Sequence, residues 1–164
     1  MKSKRSSYAA GHKRKYLVVI DDTEECDRAV YWAARRAGRT KSEIVMLRVI
    51  EPGDRNQQWL GVADLMKAEA EETTNRLLNK YAARIKEIAK VAAERVVREG
   101  STPEEILKLI EADADIGILV LAAGTGNDGP GPLVAGLAKT AATFPIPVAI
   151  VPGQLGDEDL DMMA

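Results

Sequence analysis

Short runs of apolar residues alternate along the chain with longer segments in which apolar residues recur at every third or fourth position. The runs are too short for helices and are rich in β-branched residues, so they are typical of strands buried on both faces. One run, residues 91–98, also fits an extension of the preceding helix, but its adjacent valines and the following Gly100 favour a strand. The predicted strands are residues 16–20, 43–50, 91–98, 116–123 and 147–151.

The segments between the strands predict four helices, because the apolar positions of each segment form one stripe. The first helix is expected to begin at Asp22, which has an acidic residue at capping-box spacing, and to end at Gly38. A long second helix is expected to open at Trp59. The third has Thr102 as its predicted N-cap, followed by a proline, and the fourth covers residues 132–143.

Strands that alternate with helices predict an α/β fold: a five-stranded parallel sheet with helices on both faces, in a Rossmann-like arrangement. In such sheets, ligands bind where the carboxyl ends of the strands meet. Residues 21–23 and 124–131 directly follow predicted strands, and residues 49–52 contain the end of the second one. This edge of the sheet is therefore the predicted ligand site.

A glycine-rich loop, residues 124–131, follows the fourth predicted strand. Glycine lets a backbone approach a ligand closely, and exposed N–H groups beside a helix N-terminus suit phosphate. The loop matches the spacing Gly-x-Gly-x-x-Gly, but it does not follow the first strand, and it lacks the lysine of a Walker A loop. A flexible surface loop is the alternative interpretation.

Asp21 comes directly after the first predicted strand. Its carboxylate can accept hydrogen bonds from an adenine amino group or from ribose hydroxyls. The alternative is that Asp21 and Asp22 only cap the next helix, and for Asp22 this is the favoured interpretation.

A combined pattern runs through four segments: LVVIDDTEE (17–25), MLRVIEP (46–52), ILVLAAGTG (118–126) and FPIPVAIVPG (144–153). Together they resemble the universal stress protein family across residues 16–152. The resemblance implies a sheet of the adenine nucleotide α-hydrolase-like type, a role in the stress response, and a homodimer that pairs through residues 147–151. It also implies binding of ATP or another adenine nucleotide, with or without Mg²⁺, and little or no hydrolysis.

The nucleotide-binding branch of that family carries Gly-x-x-Gly, nine further residues, and then Gly followed by Ser or Thr. Here Ala123 replaces the first glycine and Leu137 replaces the hydroxyl residue, so one donor to phosphate is missing. Such a hydrogen bond to a charged partner is worth about 1–3 kcal/mol. The alternative function is therefore a stress-responsive dimer or adaptor that binds no nucleotide. The positions that the resemblance assigns to the nucleotide are Ile20, Asp21, Val49, Ala123, Thr125, Gly126, Gly136, Leu137 and Ala138.

The sequence predicts no catalytic residue and no metal site. His12 is the only histidine and lies in a basic segment. Cys26 is the only cysteine and falls in the first helix, where a buried thiol is expected unless the first-turn position lowers its pKa. Asp113 and Asp115 form a carboxylate pair in a helix-to-strand turn, where aspartate is common for local reasons. An enzyme is therefore the least favoured class.

The net charge of −2 combines two oppositely charged ends. Residues 1–15 carry six Lys or Arg residues and are predicted as a disordered basic arm, whereas residues 153–164 carry four Asp or Glu residues and are predicted as an acidic tail outside the core. Residues 16–152, the predicted domain, lack a uniform basic surface, so no specific nucleic-acid partner is predicted. The single cysteine is typical of a reducing compartment, so a cytoplasmic location is predicted. No apolar run approaches the ~18 residues that a membrane helix needs, so no membrane-spanning segment is predicted.

Overall fold

The structure is a computed structural model that describes residues 4–52 and 60–164, with side chains described from residue 64 onward in the second range. Trp59, the predicted opening residue of the long helix, lies outside the described residues. In chain order, the elements are β1 (Lys15–Val19), α1 (Cys26–Thr40), β2 (Glu43–Ile50), α2 (Leu60–Ile88), β3 (Ala93–Glu99), α3 (Thr102–Ala112), β4 (Ile116–Ala123), α4 (Pro132–Thr140), β5 (Val148–Pro152) and α5 (Asp157–Met163).

The five strands form one sheet in the order β3-β2-β1-β4-β5, and every neighbouring pair is parallel. The predicted five-stranded parallel sheet with helices on both faces is thus confirmed. β1 lies at the centre because residues 16–19 are almost fully buried on both faces. Residues 91–98 supply an edge strand rather than an extension of α2, since α2 ends at Ile88.

Successive residues of each strand face opposite sides of the sheet, and two separate apolar clusters result. Tyr16 and Val18 pack on the face that is covered by α1, α2 and α5. Leu17 and Val19 pack on the face that is covered by α3 and α4. None of the described helices is long and apolar enough to cross a membrane.

The first helix begins at Cys26, four residues later than the Asp22 start that the capping-box spacing predicted. The reason is a local turn in which Asp21 Oδ1 accepts hydrogen bonds from the backbone N–H of Thr23, at 3.0 Å, and from its hydroxyl. Such a turn offers the backbone an alternative to the helix. Asp21 and the two residues after it therefore remain a loop at the edge of the sheet.

The other end of α1 also differs from the prediction. The helix continues past Gly38 to Thr40, and Lys41 takes the left-handed conformation (φ 55°) that glycine was expected to supply. Gly38 serves packing instead, because a Cβ at this position would lie 2.9 Å from the Cβ of Ala89 after α2. Glycine here lets α1 and the end of α2 approach each other closely.

Two further helix ends were misplaced. The N-cap of α3 is Ser101 rather than Thr102, whose hydroxyl instead donates to Glu51 Oε1 at 2.9 Å. α4 ends at Thr140, and residues 141–143 form a short 3₁₀ turn before the last strand.

The basic arm was predicted as disordered, but residues 4–15 are packed along the edge of the sheet where the strands begin. Arg5 Nη1 donates to the carbonyl of Ile110 at 2.7 Å, and Nη2 donates to the carbonyls of Asp113 and Ile116 at 2.6 and 2.8 Å. Cations are favourable at the C-terminus of a helix, where unpaired carbonyls carry partial negative charge. Arg5 thus fastens the arm to the end of α3.

The carboxylate pair after α3 completes this attachment. Asp115 Oδ1 accepts from the Ser6 hydroxyl at 2.5 Å and lies 2.8 Å from His12 Nδ1, while Lys15 Nζ lies 2.8 Å from Asp113 Oδ2. The hydrogen bond from Ser6, and then His12, hold the pKa of Asp115 below its usual value. Both aspartates therefore anchor the arm rather than form a catalytic pair.

The acidic tail was predicted to lie outside the core, but it forms α5 and docks on α1. Leu160 is fully buried in the cluster beneath α1. Asp157 pairs with Arg28 at 2.6 Å, and Asp161 pairs with Arg35 at 2.8 Å. The hydrogen bond from Arg28 is the main reason why the pKa of Asp157 is lowered. Two of the four acidic residues of the tail, Asp157 and Asp161, are thus paired with arginines of α1.

Candidate functional site

Two clefts meet at the carboxyl edge of the sheet. The larger cleft, of about 620 Å³, lies where β1 and β2 end and is lined by Asp21, Arg48, Val49 and Glu51 among others. The smaller cleft, of about 130 Å³, lies between the ends of β1 and β4 and the start of α4. Four residues line both clefts, so the two spaces are adjacent parts of one site. The shared residues are Val19, Asp21, Pro132 and Leu133.

Asp21 lies at the junction of the two clefts and follows the fully buried Ile20. The turn with Thr23 orients the carboxylate, because both hydrogen bonds from Thr23 end on Oδ1. The structure therefore brings the predicted residues Ile20, Asp21 and Val49 together around the larger cleft.

Arg48 also lines the larger cleft, and sequence reasoning missed it. Its guanidinium lies 3.5 Å from the carbonyl of Ile20 and 3.4 Å from the hydroxyl of Thr74 on α2. The signal was available, because Arg48 is the one charged residue in the otherwise apolar run that follows Glu43 in β2. A cation here places positive charge in the cleft that Asp21 also lines.

The glycine-rich loop closes on itself beside the smaller cleft. The backbone N–H of Gly124 donates to the carbonyl of Pro130 at 3.1 Å, which occupies one donor that phosphate would need. A Cβ at Gly124 would lie 2.9 Å from Glu25 Oε1, so the glycine makes room for this carboxylate. Ala123 ends β4, and Thr125 and Gly126 are exposed in the loop.

The structure does not bring Gly136, Leu137 and Ala138 to Asp21. α4 begins at Pro132, which places these residues in its second turn. Gly136 and Leu137 line an adjoining apolar cleft of about 400 Å³ between α3 and α4, which shares Pro103, Pro132 and Leu133 with the larger cleft. Ala138 is exposed.

The start of α4 takes the place that these residues were expected to fill. Gly131 is the N-cap, with φ 102°, and Pro132 and Leu133 border both clefts. The signal for this arrangement was the proline, since proline favours the first position of a helix and the helix N-terminus is where anions bind.

Comparison with known proteins identifies the family of this chain. A sequence model of the universal stress protein family matches residues 13–152. The chain belongs to the universal stress protein family. None of the curated proteins matches this chain.

Solved universal stress proteins share the fold. UspA from Lactobacillus plantarum superposes with a TM-score of 0.70 at 17% identity, covering 84% of this chain and 97% of that one. A family protein from Arabidopsis thaliana with AMP bound gives 0.59 at 19% identity, covering 88% and 94%. The protein from Archaeoglobus fulgidus in complex with dAMP gives 0.54 at 17% identity, covering 84% and 97%.

This universal stress protein has a mostly acidic rim around its site. Among the residues that the structure describes, the charged residues that line the smaller cleft are Asp21 and Glu25, and the larger cleft adds Glu51 and Arg48. Among residues 4–52 and 60–164, no group of three or more His, Cys, Asp or Glu side chains could hold a metal ion. A divalent cation would therefore need ligand oxygens in addition to Asp21 and Glu25.

The thiol of Cys26 lines the smaller cleft but is not activated. Burial raises its pKa to about 12, and its Sγ lies 3.7 Å from the carbonyl of Val19. The thiol stays protonated at neutral pH, so the lowering effect of a first-turn position does not prevail.

Proposed function

We propose that this universal stress protein binds an adenine nucleotide at the junction of its two clefts, as part of a stress response, with little or no hydrolysis. The observation that carries the proposal is the position of Asp21, where the cleft of about 620 Å³ meets a smaller cleft at a helix N-terminus. Relatives of this fold have been solved with AMP and dAMP, which supports the same ligand class here. A cytoplasmic location stays a prediction from the sequence.

In the proposed complex, the adenosine part occupies the larger cleft. Asp21 accepts hydrogen bonds from the ribose hydroxyls or the adenine amino group, and the base lies beside the end of β2 at Val49. The phosphate points toward the first turn of α4, where the backbone N–H groups of Leu133 and Val134 have no partner within the helix. The side chain of Leu133 has no hydroxyl, so only backbone N–H groups donate hydrogen bonds to the phosphate here.

The acidic rim favours nucleotides with few phosphates. Each added phosphate brings negative charge toward Asp21 and Glu25, and like charges at short range repel. We therefore expect AMP to bind at least as tightly as ATP when Mg²⁺ is absent. Mg²⁺ between the phosphates and these carboxylates would reduce the repulsion.

A titration of the full chain with AMP, ATP and ATP with Mg²⁺, followed by calorimetry and thermal shift, tests the proposal. Asp21→Ala should weaken AMP binding by about tenfold to a hundredfold, since it removes charge-assisted hydrogen bonds. Asp22→Ala is the matched control: it removes the same charge one residue away, where the side chain is exposed and lines neither cleft.

The same titration distinguishes nucleotide binding from the alternative function. The acidic rim and the absence of a hydroxyl at the start of α4 favour a stress-responsive adaptor that binds no nucleotide. Lack of any response of the unmodified chain to millimolar AMP or ATP would support the adaptor. Equal effects of the Asp21 and Asp22 substitutions would show that bound nucleotide lies elsewhere.

A homodimer through residues 147–151 is part of the proposal. β5 is an edge strand, and Ile150 on it is 46% exposed. The other edge strand, β3, carries Glu94, Arg95 and Arg98, and charged residues discourage edge-to-edge pairing. Pairing of two copies through β5 would cover Ile150.

Ile150→Glu should therefore convert the dimer into a monomer, as measured by size-exclusion chromatography with light scattering. Val97→Glu is the matched control, because Val97 is 41% exposed on the other edge strand and should leave the dimer intact. A monomeric unmodified chain at micromolar concentration would contradict this part of the proposal.

A further inference from the structure

A pocket of about 420 Å³ lies at the amino edge of the sheet, opposite the two clefts. One side of the pocket comes from the arm, through Arg5, Tyr8 and Arg14. The other side is apolar and consists of Ile118 on β4 together with Ile146 and Pro147 before β5. Its volume is within the range of small-molecule sites, and we call it the arm pocket.

The charged residues that line the arm pocket are two arginines. Arg5 donates to carbonyls at the end of α3 and the start of β4. Among the described residues, neither Arg5 nor Arg14 forms an ion pair with a carboxylate. Within the described part of the chain, the pocket therefore holds two guanidinium groups that have no carboxylate in direct contact.

Arg14 is held between two tyrosines. Its guanidinium donates to the hydroxyls of Tyr8 and Tyr16 at 2.6 and 2.8 Å and lies 5.4 and 5.0 Å from the centres of their rings. Gly117 makes room for it, since a Cβ there would lie 3.3 Å from Arg14 Cγ. Tyr8 is 82% exposed, so the wall that it forms can move aside for a ligand.

Both arginines also carry a donor without a partner. The Nε atoms of Arg5 and Arg14 are buried and make no hydrogen bond. Buried donors are nearly always paired in native proteins, and exceptions are commonly explained by a water or ion. Both side chains line the arm pocket, and a ligand with several acceptor oxygens would satisfy the two donors once the side chains turn toward it.

We propose that the arm pocket binds a small organic anion: a carboxylate or phosphate group on an apolar body. The oxyanion would accept hydrogen bonds from the arginine Nε–H groups, with small adjustments of both side chains. The apolar body would pack against Ile118, Ile146 and Pro147. This site is separate from the proposed nucleotide site and does not depend on it.

Nuclear magnetic resonance of the ¹⁵N-labelled full chain tests the proposal through the arginine Nε–H signals. The probes are 4-phenylbutyrate, phenyl phosphate, inorganic phosphate and the neutral 4-phenylbutan-1-ol. Either phenyl anion should shift the Arg14 Nε–H signal, and comparing the two identifies the preferred head group. The Arg84 Nε–H signal should stay unchanged, because Asp27 already accepts from it at 3.1 Å.

Arg14→Lys assigns the Arg14 signal and tests the guanidinium, since lysine keeps the charge but lacks the fork of donors. It should weaken binding of the phenyl anion by about tenfold or more, whereas Lys13→Gln, an exposed neighbouring charge, should change it by less than about twofold. The proposal fails if neither phenyl anion shifts the Arg14 signal at millimolar concentration. It also fails if the neutral alcohol binds equally well or if Lys13→Gln weakens binding as much as Arg14→Lys.

Discussion

Replacing Leu160 with alanine should lower the free energy of unfolding by about 3 kcal/mol, because truncating a fully buried leucine removes apolar contacts and leaves a cavity. Leu160 is 1% exposed and is the residue through which α5 enters the cluster beneath α1. Denaturant unfolding, followed by circular dichroism, measures the change. The loss should appear as a lower midpoint with little change in slope.

Met162→Ala is the control for this prediction, because Met162 is in the same helix but is 87% exposed. Its effect should stay within about 0.5 kcal/mol, as is usual for surface substitutions. If Leu160→Ala were equally mild, α5 would not be docked on α1 in solution.

Gly153→Ala is expected to cost about 2–3 kcal/mol, in the range of overpacked sites. The added Cβ would overlap the carbonyl oxygen of Ala123, which already accepts the Gly153 N–H at 2.9 Å, and would also crowd Glu25. A backbone atom cannot move aside like a flexible side chain, so the ends of β4 and β5 must separate. Calorimetric melting of the variant measures the cost.

Gly136→Ala carries the same chemical change at a site where a Cβ meets no atom within 4 Å. Because alanine is favoured over glycine inside a helix, this variant should be more stable by up to about 1 kcal/mol. The two variants should therefore shift stability in opposite directions. A loss of stability in Gly136→Ala would contradict the open space at that position, and no loss in Gly153→Ala would contradict the packing around Gly153.

The strands were the most predictable part of the fold. Residues 43–50 and 116–123 form β2 and β4 with the predicted bounds, because strands buried on both faces leave an uninterrupted apolar run in the sequence. The helix ends were less predictable, since the turn of Asp21 with Thr23 delays α1 and competes with a cap that looked equally good.

The two ends of the chain were mispredicted for a common reason. Their composition is charged, and charged segments usually remain in solvent. The partners that hold them are far away in the sequence: Arg5 meets the end of α3, and Asp161 meets Arg35. Local patterns contain no information about such pairs, because each depends on which faces the sheet brings together.

The candidate site was partly predictable. Asp21 and Val49 could be placed because one follows β1 and the other lies near the end of β2, and the carboxyl ends of parallel strands share one edge. Gly136 and Leu137 were assigned by counting nine residues from a glycine pair. The helix predicted from residue 132 already put them in its second turn, but only the fold shows that this turn faces α3.

The buried thiol of Cys26 has a practical consequence. Thiol reagents attack the thiolate, and a pKa of about 12 leaves almost none of it at neutral pH. Cysteines introduced on the surface could therefore be labelled with thiol-reactive dyes while Cys26 stays unlabelled. When α1 does lift from the sheet, Cys26 becomes reactive, so its rate of alkylation would report how often this face of the sheet opens.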